Sequence, residues 1–343
     1  MKLVTFKNKK GQIRIGWLTA DGQGVVDMKL TDKRLPNDML SFIDKHEQYF
    51  KIIKDNHLEN TPPQYWTSDF RFQISDSDVP KSEIRNPKLQ VTLLTPLPNP
   101  RSFRDFIGFE QHMLNATKTF GHNVGEIWYQ IPIFYFTNHQ AIYGLNEEIK
   151  KPAQETRLDL ELELAVVMGK KGANIKAENA EDYIFGYTIF NDWSARAIQK
   201  MEGGGPPLGP HKGKDFANSI GPCIITKDEM EQYRCTISKE KFPAHLRFPE
   251  KNFERFDVKM TAKINDQTIT EGNYNTVYWA FPEQIERATE NNVSIMPGDM
   301  LGSGTVGWGS LIENNFTVHR PLEAGDVVEL EIEGIGVLRN KVV

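Results

Sequence analysis

The run Leu158-Asp159-Leu160-Glu161-Leu162-Glu163-Leu164 sets a carboxylate at every second position. Successive side chains of a strand face opposite ways, so the three acids share one face and the leucines the other. Neighbours on the acidic face then stand roughly 7 Å apart, two strand rises. Like charges at that spacing repel unless water or a cation lies between them. Hard oxygen ligands on a rigid strand suit Mg2+, Ca2+ or Mn2+. The competing reading is a strand with a wet acidic face, and Glu329-Leu330-Glu331-Ile332-Glu333 repeats the alternation.

Other residues with chemical potential lie on both sides of that run. Asp105 is followed seven positions later by His112, and the surrounding Arg104 to Asn115 reads as the start of a helix with Asp105 as its N-cap. Within one helix, positions 105 and 112 would share a face. Ile184 to Phe190 reads as a strand running into Asn191-Asp192-Trp193-Ser194-Ala195-Arg196, a strand-to-helix junction. Asp192 there is either a cap or a ligand leaving the strand end, and Arg196 and Gln199 share its face. Five glycines and three prolines between 203 and 213 form an irregular loop that delivers Lys214. Tyr135 sits in an aromatic stretch that is core or pocket wall. Gly302-Ser303-Gly304-Thr305-Val306-Gly307 has the spacing of a dinucleotide fingerprint but lacks the preceding strand and following helix that such a site needs.

The elements that must hold these groups are mostly strands. Residues 2–6, 12–18 and 25–28 read as short strands, 38–58 as a helix, and 256–264 as a strand in a β-rich second half with a helix over 281–291. Three prolines at positions 96, 98 and 100 stiffen the chain. The domain boundary is placed near residue 90, giving 1–90 as a small β-rich N-terminal domain and 91–343 as the catalytic one. The 343 residues carry 39% hydrophobic and 25% charged residues, the composition of a globular protein. A formal net charge of -5 excludes a nucleic-acid-coating surface, which needs a clustered basic excess. Two cysteines without metal spacing, no signal peptide and no long apolar run predict a cytoplasmic protein that does not bind membranes.

Taken together, these residues resemble the fumarylacetoacetate hydrolase family, in its long form with a small N-terminal domain. Glu161 and Glu163 resemble its E-x-E metal strand, and Asn191 to Arg196 is similar to its most recognisable motif, with Asp192 a further ligand. Asp105 and His112 resemble the aspartate that completes the metal site and the general base of the long-form members. The resemblance implies that Glu313 orients His112. It places Arg196, Gln199 and Lys214 around the developing oxyanion, and Tyr135, Gln199 and Thr305 against the substrate. Asp159 stays outside this set. The fold implied is α+β and β-rich: a mixed-sheet β-sandwich or roll with an SH3-like N-terminal domain, assembled as a homodimer.

The implied reaction is metal-dependent cleavage of a C–C bond in a 1,3-diketo acid, fumarylacetoacetate-like or acylpyruvate-like, with Mg2+ as the leading cation and Ca2+ or Mn2+ as alternatives. Two carbonyl oxygens of such a substrate can chelate a hard cation, while His112, held by Glu313, activates water. The rivals are a decarboxylase, isomerase or hydratase of the same family, a nucleotide-binding oxidoreductase using Gly302 to Gly307, and a non-catalytic binding protein. Four positions depart from the family's prototype. Ile107 and Gly203 stand where it has tyrosines, Gly121 where it has a carboxylate-gripping arginine, and Asn218 where it has a threonine. The catalytic set is kept while the substrate clamp changes.

Overall fold

In the computed structural model, described over residues 1–73, 89–119, 123–204 and 209–343, the architecture is a mixed α+β one dominated by sheet. Gly121 and part of the glycine- and proline-rich loop (205–208) lie outside the described residues. The strand Ile184–Asp192 lies inside a sheet of twelve strands, paired antiparallel with Leu162–Met168 on one side and Asn218–Thr226 on the other. Beyond Leu162–Met168 come Met300–Gly302, then Phe103–Phe106 in parallel, then Phe134–Phe136. Beyond Asn218–Thr226 come Lys2–Lys7, Ile13–Leu18, Gly24–Asp27 and Tyr65–Trp66. The sheet therefore runs without a break across the boundary placed near residue 90, because Lys2–Lys7 hydrogen-bonds to both Asn218–Thr226 and Thr92–Leu94.

The large sheet is covered on both faces, which is why its central strands read as near-continuous apolar runs. Leu162, Leu164, Val166 and Met168 pack into one core with Met260, Ala262, Val328 and Leu330. Those partners belong to a second, five-stranded sheet that includes Lys259–Ile264 and Val327–Ile332. Ala165 and Val167, on the opposite face, join a core with Phe42, Ile43 and Ile53 of the helices Met39–Asp44 and His46–Asp55. Each fully buried Leu, Ile or Val contributes about 1.5–3 kcal/mol of transfer free energy. Among the described residues no helix is long and apolar enough to cross a membrane, and both cysteines are free thiols.

Several expectations need correction. The alternating run is two strands, Leu158–Asp159 paired with Ser194–Ala195 and Leu162–Met168 in the large sheet, with Glu161 in the joint between them. Its acidic face is not wet: Asp159, Glu161 and Glu163 are 0%, 4% and 1% exposed. Asp105 caps no helix. It lies in the strand Phe103–Phe106, and the helix begins only at Glu110–Thr119. Pairing with two distant strands overrides the local helical pattern there. The chain turns at Gly108, whose N–H donates to the Ser303 carbonyl at 3.0 Å and where a Cβ would stand 2.3 Å from that oxygen. The helix read over 38–58 is two, broken at Lys45, and the last helix stops at Thr289.

Candidate active site

Four strands converge at one end of the large sheet, and parity decides what they show there. Asp105 shares a strand face with Phe103, Glu163 with Ala165, and Asp192 with Phe190, and Phe103, Ala165 and Phe190 all belong to the same core. Gly302 pairs with both Asp105 and Ala165, so it sits between the acids. A Cβ at Gly302 would stand 2.4 Å from Asp105 Oδ1 and 2.9 Å from Glu163 Oε2. Glycine there is what lets the two carboxylates approach. The glycine motif is thus part of an acidic site: Gly304 donates its N–H to Glu163 Oε2 at 2.8 Å, and Thr305 its hydroxyl to Glu163 Oε1 at 3.3 Å.

Asp105, Glu161 and Glu163 each bring an oxygen within 4.8 Å of the others. Asp192 stands beside this triad. Its Oδ2 accepts from the Tyr135 hydroxyl at 2.5 Å and from Lys214, while neither its Oδ1 nor Asp105 Oδ1 has a hydrogen-bond partner among the described residues. Burial is the first cause that drives Asp105 and Glu163 well above the usual carboxylate range; the charge of Asp192 pushes Asp105 further up against a hydrogen bond from Glu163, and Asp105 and Glu161 push Glu163 the same way as burial. Burial likewise lifts Asp192 to about 6, against the pull of Lys214. Glu161 behaves oppositely. Burial would raise it, but Lys214 at 2.5 Å and Arg196 at 2.7 Å hold it below the usual range. Buried carboxylates with unpartnered oxygens and an all-oxygen donor set fit a hard divalent cation, with Asp105, Glu161 and Glu163 as the residues that would hold it and the buried Asp192 beside them as a fourth donor.

A second group faces the triad. His112, on the helix Glu110–Thr119, has Nε2 4.0 Å from Glu161 Oε1 and Nδ1 2.9 Å from Glu313 Oε1. The Nδ1 contact is an ion-pair approach rather than an aligned hydrogen bond. Burial alone would lower the imidazole pKa, but the Glu313 carboxylate outweighs it and the net direction is up. Glu313 is itself tightly placed. Oε1 accepts from the Ser310 N–H and hydroxyl, both at 3.1 Å, and Oε2 from Trp308 N–H at 2.6 Å and Asn115 Nδ2 at 2.9 Å. Arg196 NH1 donates to Gln199 Oε1 at 3.2 Å, which sets both beside the triad. Asp105, His112, Tyr135, Glu161, Glu163, Arg196, Gln199, Lys214 and Thr305 all border one cavity of about 610 Å3.

Three supporting residues escaped the sequence reading. Asp159 is left outside the site there, yet its Oδ2 accepts from Arg196 Nε at 2.9 Å and its carboxylate from the N–H groups of Leu311 and Ile312 at 2.8 and 3.0 Å. It ties the arginine to the segment that carries Glu313. Asn115 lies three residues past His112, on the same helix face, and that spacing was the available signal. Ser310, three before Glu313, carried no signal of its own. By contrast, Glu329 of the second alternating run is held by Arg71 and lies 3.5 Å from Arg339 Nε, an ion-pair cluster on the five-stranded sheet rather than on the sheet that carries the triad.

Residues 101–343 match the family described as fumarylacetoacetate (FAA) hydrolase C-terminal. Fumarylacetoacetase of Arabidopsis thaliana is 28% identical over 292 residues, 76% of this chain and 69% of that protein. That of Dictyostelium discoideum is 26% identical over 349 residues, 91% of this chain and 81% of the relative. Among solved structures, fumarylacetoacetate hydrolase from Exiguobacterium antarcticum superposes with a TM-score of 0.66 at 22% identity, covering 100% of this chain and 99% of that one. A maleylpyruvate hydrolase from Sphingobium gives 0.64 at 21%, again over 100% and 99%. A 5-carboxymethyl-2-hydroxymuconate delta-isomerase from Mycobacterium smegmatis gives 0.61 at 22%, with the same coverage. At these identities the structures share a fold.

Proposed function

The chain belongs to the fumarylacetoacetate hydrolase family, and from that premise we propose that it is a metal-dependent hydrolase cleaving a C–C bond of a 1,3-diketo acid. The observation that carries the reading is the pairing of His112 with Glu313 at 2.9 Å, set 4.0 Å from a carboxylate of the buried acid triad. A proton acceptor so placed is what water activation needs and what simple binding does not.

When bound, a divalent cation would act as a Lewis acid toward the two substrate oxygens, with Mg2+ the leading candidate. The chain's own residues account for the rest. His112 Nε2 takes a proton from water as it attacks the acyl carbonyl carbon, and Glu313, held from four sides, keeps Nδ1 protonated and the ring oriented. The oxyanion that forms lies among Lys214 and Arg196, whose donors are fixed in advance by Glu161, Asp192 and Asp159, and Gln199, whose Oε1 accepts from Arg196. The central C–C bond then breaks, its electron pair passes to the methylene carbon, and the proton held on His112 is returned there. One water is consumed and two acids are released. Tyr135 and Thr305, which border the cavity, contact the substrate.

Purified protein should release two carboxylic acids from 1,3-diketo acids with Mg2+ and lose activity in EDTA or as His112→Ala. Undiminished turnover in either case overturns the mechanism. An isomer of unchanged mass, or released CO2, would assign the chain to the family's other reactions. A homodimer in the cytoplasm completes the proposal, and light scattering reads the assembly directly.

A further inference from the structure

The register that builds the acid site also says what lies next to it. Asp105 pairs with Tyr135 and Phe106 with Phe134, and the ladder continues one step further: the Ile107 N–H donates to the Ile133 carbonyl at 3.1 Å. Ile107 is two residues past Asp105, and Ile133 two before Tyr135. Both side chains therefore emerge on the face of the acid–tyrosine pair, one repeat of roughly 7 Å along it. Both border the same cavity, joined by Phe134, by Ala116 one helical turn past His112, and by Ile312 beside Glu313. The cavity has a reactive end and, immediately adjoining it, an apolar wall.

The cations along this cavity are already committed. Arg196 is paired with Asp159 and Glu161, Lys214 with Glu161 and Asp192, and His112 with Glu313. Among the described residues that border it, Lys200 alone has a cationic group without a carboxylate partner, and it is exposed. One substrate carboxylate can be met at the head, by Lys200 together with the acid site's cation. A second one, carried on the far side of the diketone, would face the isoleucine wall of Ile107 and Ile133.

We propose, resting on the reaction reading above, that the substrates are monocarboxylic 2,4-dioxo acids whose acyl group ends in a hydrocarbon, with Ile107 and Ile133 as the residues that select the tail. Burying an unpaired carboxylate against such a wall is strongly unfavourable, whereas each methylene transferred into it favours binding by about fourfold.

The test uses two series on the full chain with Mg2+. In the first, kcat/KM is measured for 2,4-dioxo acids with methyl, propyl, pentyl and phenyl ends and for a carboxylate-ended acid of matching length. In the second, calorimetry measures binding of 2-oxobutanoate, 2-oxohexanoate, 2-oxooctanoate and the dicarboxylate 2-oxoadipate. Both series should rise about threefold to fourfold per methylene until the wall is covered, with the carboxylate-ended member about a hundredfold or more below its alkyl match. Ile107→Arg should narrow or reverse that gap through KM and Kd rather than kcat. A flat or falling alkyl series, or a carboxylate-ended acid that binds as well as its alkyl match, overturns the proposal. Chain-length-dependent binding without turnover of any diketo acid would sink the reaction reading and leave the tail selection standing.

Discussion

Gly302→Ala is the sharpest probe of the acid site, because the added atom lands between two carboxylates. Its Cβ would stand 2.4 Å from Asp105 Oδ1 and 2.9 Å from Glu163 Oε2, where ordinary contact begins near 3.4 Å. Asp105 Oδ1 must therefore retreat by about 1 Å, and its short side chain in a doubly paired strand offers little slack. Metal-ligand distances tolerate only about 0.2 Å. The expected loss of divalent-cation affinity is at least tenfold, and nearer a hundredfold if Glu163 also turns away. The fold should survive at a cost of about 1–3 kcal/mol, the usual penalty for overpacking. Calorimetric Mg2+ titration, with thermal melts with and without the cation, separates the two effects. Gly125→Ala is the control, since its Cβ would meet nothing closer than 3.9 Å. Wild-type Mg2+ affinity in the Gly302 variant would refute the assignment of these carboxylates to a cation.

Three other outcomes are expected. In Glu313→Gln, kcat should fall about a hundredfold or more. Because Glu313 raises the His112 pKa, the acid limb of kcat/KM should also move to lower pH; a limb that stays in place would mean that another group titrates. Asn115→Ala removes one of four donors to Glu313, so kcat should drop about tenfold with KM held, and an unchanged kcat would make Asn115 merely structural. Burial lifts Glu283 to about 7. An acid whose folded pKa lies above its unfolded value stabilises below the unfolded one and loses that contribution as pH rises through the folded one. Urea melts of Glu283→Gln should therefore gain on wild type between about pH 4.5 and 7, by up to about 3 kcal/mol, and parallel curves across that window would contradict the shift.

Local pattern carried a good part of this protein. A period-two run pointed to the strand Leu162–Met168 and an apolar run to Ile184–Asp192, because a strand must be apolar on whichever faces it buries. The resemblance then singled out Asp105, His112, Glu161, Glu163, Asp192, Lys214 and Glu313, and the fold draws all of these around one end of the large sheet. Three things were not legible. The dryness of the acidic face depends on Arg196 and Lys214 folding over it from elsewhere in the chain. Asp105 reads locally as a helix cap, and only pairing with Met300–Gly302 and Phe134–Phe136 makes it a strand residue facing Glu163. The glycines from 302 to 307 imitate a nucleotide loop until the fold shows carboxylates where a Cβ would be. Periodicity is a property of neighbours along the chain and so can be read from the sequence. Which carboxylates meet, and what neutralises them, is set by strand register between segments up to about two hundred residues apart, and only the assembled sheet decides that.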